Sequence, residues 1–223
     1  MTDFFREVDE ELRRERMNDV WKRFGPIIMG VAVLIVLATA GYRFWEWYQA
    51  RTAGAAGEAY VSAVRDNDDN PQQMEAALEE LAEGGTGFED LARMRIAAAR
   101  GQAGDVDGAV AAYDDIAADS GVDDRVRELA RIRAANLLID TASLADMNAR
   151  IGGLTGEDAP MRHSAREILG LTAYRNGDYA EAAEQFDAII ADSGAPQDMR
   201  SRVELMQSLL AARLAAAGEG SGQ

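Results

Sequence analysis

Gly104-Asp-Val-Asp-Gly-Ala-Val-Ala-Ala-Tyr-Asp-Asp-Ile-Ala-Ala-Asp-Ser-Gly121 and Gly177-Asp-Tyr-Ala-Glu-Ala-Ala-Glu-Gln-Phe-Asp-Ala-Ile-Ile-Ala-Asp-Ser-Gly194 are one pattern written twice. Gly104-Asp105, Ala109, Tyr113, Ile116 and a closing Ala-Asp-Ser-Gly recur as Gly177-Asp178, Ala182, Phe186, Ile189 and the same closing run, at a constant offset of 73 residues. Small, aromatic and aliphatic residues spaced four and three apart share one face of an α-helix, and Gly-Asp makes the tight turn before it. The offset is about twice 36, so a further unit is expected between the two copies. Leu144, Met147, Ile151 and Leu154 supply it, keeping the apolar spacing of Tyr179, Ala182, Phe186 and Ile189. A weaker pair of segments, from about Ala55 to Glu83, precedes them. Two helices per unit at this period define a helical-hairpin solenoid.

The surrounding chain agrees. Ala, Leu, Arg and Glu dominate after residue 55, with no β-branched alternation and no Asn-Gly hairpin signal. Breaks fall at Asp66–Pro71, Gly84–Gly87, Gly101–Asp107, Asp119–Asp124, Asp140–Ser143, Gly152–Pro160, Asn176–Asp178 and Ser193–Pro196, leaving segments suited to short antiparallel helices. Asn70 before Pro71 marks a helix start, and Thr86-Gly-Phe-Glu89 has capping-box spacing. Pro196 to Ala217 reads as a terminal helix, and 218–223 as a disordered tail. The fold class is therefore all-α.

Ahead of the repeats, Phe24 to Tyr42 is free of charge. At 1.5 Å per residue such a helix covers about 28 Å, close to the thickness of a bilayer's hydrocarbon core. Arg13, Arg14, Arg16, Lys22 and Arg23 precede it, against Arg43 and Arg51 after it, which places the N-terminus in the cytoplasm by the positive-inside rule. The outer domain is then periplasmic in a bacterium with two membranes. Trp21 on one side and Tyr42, Trp45, Trp47 and Tyr48 on the other form a membrane-interface belt. Ala38-Thr39-Ala40 has the form of a signal-peptidase site, but the long apolar run and the mixed-charge leader favour an uncleaved anchor. The expected parts are a leader helix at 1–23 (Phe4, Phe5, Val8 and Leu12 on one face), the span at 24–42, an interfacial segment at 43–54 and the helical domain at 55–217.

From residue 51 onward 31 acidic side chains face 16 basic ones. That balance repels phosphate backbones and excludes nucleic acid as a partner class. The chain has no cysteine, hence no disulfide and no thiol chemistry. His163 is the one histidine, reads as a helix-start residue and has no nucleophile-elbow partner. Asp66-Asn-Asp-Asp-Asn70 lacks the glycine and terminal glutamate of a calcium loop. No glycine run forms a phosphate loop. No catalytic residue, cofactor, metal ligand or small-molecule substrate is assigned, and the chain is not read as an enzyme; an enzyme with an unrecognised site is the contrasting hypothesis.

Leu169-Gly170, Tyr174, Gly177-Asp178-Tyr179, Ala182 and Phe186 resemble the tetratricopeptide (TPR) consensus. Gly170 and Ala182 are small where two helices cross, while Tyr179, Phe186 and Ile189 fill the wedge against the next unit. Ala97 replaces that glycine in the Gly104 unit, and Ala173 stands where the consensus has a large aromatic. The resemblance implies that the first helix of each unit lines a concave groove, with Met94, Ile132, Asn136, Leu171, Tyr174 and Arg175 as candidate partner contacts. With no lysine there, and with Ile132 and Asp140 in the groove, a clamp for C-terminal carboxylates is not expected.

The order of parts, together with Phe5-Arg-Glu-Val-Asp-Glu-Glu-Leu-Arg-Arg14, the span and Tyr42-Arg-Phe-Trp-Glu-Trp-Tyr48, resembles the YfgM-like family. That resemblance implies an ancillary subunit of the SecYEG translocon in the bacterial inner membrane, passing exported chains to periplasmic chaperones. A TPR adaptor coordinating cell-envelope synthesis with division is the alternative within the binding class.

Overall fold

The computed structural model describes the backbone of residues 3–220 and the side chains of residues 26, 27 and 29–213. Among the described residues the protein is all-helical and contains no strand. The helices are α1 (Asp3–Asp66), α2 (Pro71–Glu83), α3 (Glu89–Gln102), α4 (Val106–Ala118), α5 (Asp124–Leu137), α6 (Leu144–Ile151), α7 (Arg162–Asn176), α8 (Tyr179–Ala191) and α9 (Gln197–Gly220). The chain divides into two units, Met1–Ala55 and Ala56–Gln223.

The first unit is the N-terminal part of α1, with Pro26 inside the helix. The steps in composition near residues 23, 42 and 54 leave no break in its backbone, because they change the side chains' surroundings and not the i→i−4 hydrogen-bond ladder. From Met29 onward α1 is long and apolar enough to cross a membrane by length and composition, and its apolar 18-residue window is not buried in protein. Ile27, Met29, Leu34, Ile35, Val36 and Leu37 are all exposed. The Thr39 hydroxyl donates to the Ile35 carbonyl at 2.7 Å, so it needs no water. Side chains of the leader, including Phe4, Phe5, Val8, Leu12 and Trp21, lie outside the described residues.

The second unit starts with the last turns of α1 and stacks hairpins. Ala56 and Ala63 of α1 share a buried cluster with Met74, Leu78 and Leu81 of α2 and with Ala92, Ile96 and Ala99 of α3. Further clusters join α3, α4 and α5, then α5, α6 and α7, then α7, α8 and α9. Each hairpin thus buries one face against the next, as a solenoid must. Caps mark the starts: Asn70 accepts from the Gln73 N–H at 3.1 Å, Asp105 from Gly108 at 2.9 Å, Ser143 from Asp146 at 3.1 Å and Asp178 from Glu181 at 3.3 Å. The Gly104 and Gly177 turns are the same device. Each glycine has positive φ (88° and 82°), and the N–H of the next aspartate reaches back to the Arg100 or Ala173 carbonyl, at 3.0 and 2.9 Å.

Two local expectations are corrected. The capping box at Thr86 forms only its glutamate half: the Glu89 carboxylate accepts from the N–H of Gly87 at 3.0 Å and from that of Thr86, while the N-cap is Phe88 and the Thr86 hydroxyl has no partner. Gly85 and Gly87, both at positive φ, swing the chain so that α3 begins too late for Thr86 to cap it. At the other end, α9 continues to Gly220, beyond the expected stop at Ala217, because an alanine-rich turn carries the helix on. Residues 221–223 lie outside the described set.

The repeated Ala-Asp-Ser-Gly also has a physical role. After α4 and α8 the chain turns extended at Asp119 and Asp192. One carboxylate oxygen of each accepts from the N–H two residues on, Gly121 at 2.9 Å and Gly194 at 2.8 Å. The other accepts from an arginine of the hairpin's first helix, Arg93 at 2.8 Å or Arg162 at 2.7 Å. His163 joins the second clip, with Nε2 2.8 Å from Asp192. Arg162, then the Gly194 N–H, then His163 hold the Asp192 carboxyl well below the usual range.

Candidate functional site

Helices α3, α5 and α7 are the first members of their hairpins, and two clefts open between them. The cleft between α3 and α5, about 260 Å³, is lined by Ala98, Gly101, Gln102, Tyr113, Arg133, Asn136 and Leu137. The cleft between α5 and α7, about 270 Å³, is lined by Leu129, Ile132, Arg133, Asn136, Met161, Ser164, Glu167 and Ile168. Arg133 and Asn136 belong to both. They lie three residues apart on α5, hence on one face, with Ile132 and Leu129 beside them.

The candidate contacts do not all meet. Ile132 and Asn136 come together, Ile132 nearly buried in the cleft wall and Asn136 exposed at its rim. Met94 is half-buried against the cluster around Tyr113 and Ile116. Leu171 and Tyr174 pack on the α7–α8–α9 cluster, and the Tyr174 and Tyr179 rings are tilted with centroids 5.6 Å apart. Arg175 is committed to the backbone, donating to the Ile139 carbonyl at 2.7 Å and the Ala142 carbonyl at 2.5 Å, which ties α7 to the α5–α6 loop. Of the repeat residues, Gly170 meets Phe186 and Ala182 is fully buried. Ala109 is buried too, and Tyr113 both fills the core and lines a cleft. Tyr42, Trp45, Trp47 and Tyr48 are all exposed on α1, with the Arg51 guanidinium 5.4 Å from the Trp47 ring centre.

Sequence reasoning passed over Arg133. Its signal was available: it neighbours Ile132 and precedes Asn136 by one turn. Among the described residues it makes no ion pair and no side-chain hydrogen bond. Burial pushes the Tyr113 phenol above its usual range, and Arg133 and Arg95 pull the other way, so the Tyr113 hydroxyl stays a neutral donor in the cleft. Glu167, the one carboxylate in either cleft, is held by Arg202 at 2.9 and 3.2 Å.

A larger cleft of about 640 Å³ lies elsewhere, between α4, α5 and α6, where α6 is short. Two of its four charged lining residues pair with one another. Arg150 pairs with Asp114 across it, and the Asp146 carboxylate accepts from the Oγ of Ser143, the α6 N-cap, at 2.7 Å. Among the described residues no group of His, Cys, Asp and Glu is placed to hold a metal ion.

A family model described as a tetratricopeptide repeat-like domain matches residues 18–216, and the chain belongs to that family. No curated protein and no solved structure matches it. Domains of this kind are generally non-catalytic scaffolds, and membership in the family points to protein–protein interaction.

Proposed function

We infer that the protein is a membrane-anchored scaffold whose helical domain receives protein partners on its first-helix face. The carrying observation is the pair of clefts that meet at Arg133 and Asn136 in a domain of the tetratricopeptide repeat-like family. In this reading 1–23 is a cytoplasmic leader, 24–42 spans the bacterial inner membrane, 43–54 lies at the interface and 55–217 is periplasmic. The basic residues before the span and the exposed apolar face of α1 support it. The resemblance to the YfgM-like family supports a place beside the SecYEG translocon, with exported chains or periplasmic chaperones as partners. Tethering raises the local concentration of the face near a translocon exit. Non-enzymatic action follows from the same picture.

In-cell photo-crosslinking from Asn136 tests it. Adducts with translocon subunits, chaperones or exported chains are expected. Adducts confined to septal wall enzymes would move the protein to the division-adaptor reading, and none at all would remove the face as a docking site. A reporter fused after Gln223 is expected to be active in the periplasm; activity only in the cytosol would overturn the topology.

A further inference from the structure

We propose that the first-helix face of α5 recognises an extended segment of a partner chain in which one internal acidic side chain is flanked on both sides by apolar residues. The proposal rests on the scaffold reading above and deepens it.

Three observations carry it. Arg133 is an exposed guanidinium without an ionic partner among the described residues, although the chain carries a formal net charge of −16. Several arginines of the stack face carboxylates (Arg93 with Asp119, Arg100 with Glu75, Arg162 with Asp192, Arg202 with Glu167), and among the described residues Arg133 is the one arginine that lines these two clefts. A planar fork of donors left open in a cleft suits a carboxylate, and Asn136 one turn away adds an amide donor.

Second, the apolar walls lie on both sides of that pair. Ala98, Gly101 and Leu137 line one cleft, and Leu129, Ile132, Met161 and Ile168 the other. A chain that places a carboxylate on Arg133 and fills both clefts must continue in both directions. A C-terminal carboxylate would fill one side only, so the occupant's acid is an internal Asp or Glu.

Third, the charge around the site limits the rest of the segment. No carboxylate lines the α3–α5 cleft, and Glu167 in the other is held by Arg202. A domain this acidic repels a strongly acidic chain at a distance. The segment therefore carries its single acid at the centre and is neutral or basic elsewhere. Arg131, in the larger cleft, shares its walls with Asp114 and Asp146 and is no substitute.

The test uses the full-length protein in lipid nanodiscs and fluorescein-labelled nine-residue peptides read by polarisation. The reference peptide has central aspartate, leucine or valine two residues to either side and serine elsewhere. Replacing its aspartate by asparagine is expected to weaken binding about tenfold, the scale of one charge-assisted hydrogen bond. A version ending at the aspartate is expected to bind more weakly than the reference, and a version with three aspartates also more weakly. Arg133→Ala is expected to remove the difference between aspartate and asparagine, while Arg131→Ala leaves it intact. Circular dichroism checks that both variants keep their helix content. Equal binding of the asparagine peptide, tighter binding of the truncated one, or no peptide binding at millimolar concentration would each overturn the proposal. If crosslinking from Asn136 still captured partners, the scaffold reading would survive that failure; if it captured none, both would fall.

Discussion

Hairpins α5–α6 and α7–α8 solve one packing problem with different side chains. In α7–α8, Gly170 lets the Phe186 ring come so close that an added Cβ would sit 2.5 Å from it. One repeat earlier, the equivalent pair is Ala135 with Ile151, both fully buried in one cluster. Between α3 and α4 it is Ala97 with Tyr113, also in one cluster. Between α7–α8 and α5–α6 the smaller Gly170 is matched by the larger Phe186 and the larger Ala135 by the smaller Ile151, whereas Ala97–Tyr113 is bulkier than Gly170–Phe186 at both positions. What the Gly170–Phe186 and Ala135–Ile151 crossings share is their summed size, not the residues. The short helix α6 shows a second exchange. It stops at Ile151, and a single 3₁₀ turn, Gly152–Leu154, brings Leu154 into the core where α8 uses Ile189.

The sharpest way to break the comparison is Phe186→Ala. The ring is fully buried, and the cavity is expected to cost about 3–5 kcal/mol, read by urea denaturation of the full chain in detergent. Gly170→Ala comes next. Alanine favours a helix interior by about 0.5–1 kcal/mol. Forcing a methyl into a closed ring contact costs about 1–3 kcal/mol, so packing wins and the variant loses stability. Adding Phe186→Ile, which copies the Ala135–Ile151 pair, is expected to restore most of the loss. A double variant no better than Gly170→Ala alone would refute the idea that crossing size is what matters.

The turns give smaller effects. Gly177 at φ 82° should lose about 1–2 kcal/mol as alanine, through the left-handed backbone penalty. The α6 start depends on a side chain instead, and Ser143→Ala should cost about 1 kcal/mol, measured the same way. The smallest change at neutral pH concerns the Asp192 clip. Its folded pKa is depressed, so its contribution is present above the ordinary carboxylate range near pH 4 and fades as pH falls below it. Asp192→Asn should therefore flatten the loss of thermal stability between about pH 5 and pH 2, measured by circular dichroism.

Much of the fold was legible. Gly-Asp turns, Asn70 before Pro71 and the 73-residue echo mark helix ends through local backbone chemistry, which acts within a few residues of its cause. Thr86 misled because Gly85 and Gly87, at positions the capping-box spacing leaves free, redirected the chain. The candidate face was legible only in part. Periodicity places Met94, Ile132, Asn136, Leu171, Tyr174 and Arg175 on first helices. It does not say which neighbour claims them, and Arg175 is taken by two carbonyls from a loop 33 and 36 residues away.

The amino-acid order alone determined the all-α class, the hairpin period, the apolar stretch of α1 and the acidic surface, since each follows from residue types and short spacings. Tertiary packing decided which arginines are spent on internal carboxylates and that Arg133 is not. It also decided that two clefts share one α5 face, and that Gly170 and Phe186 behave as a single unit. Those outcomes depend on distances between segments far apart in the chain, which spacing along one helix does not encode.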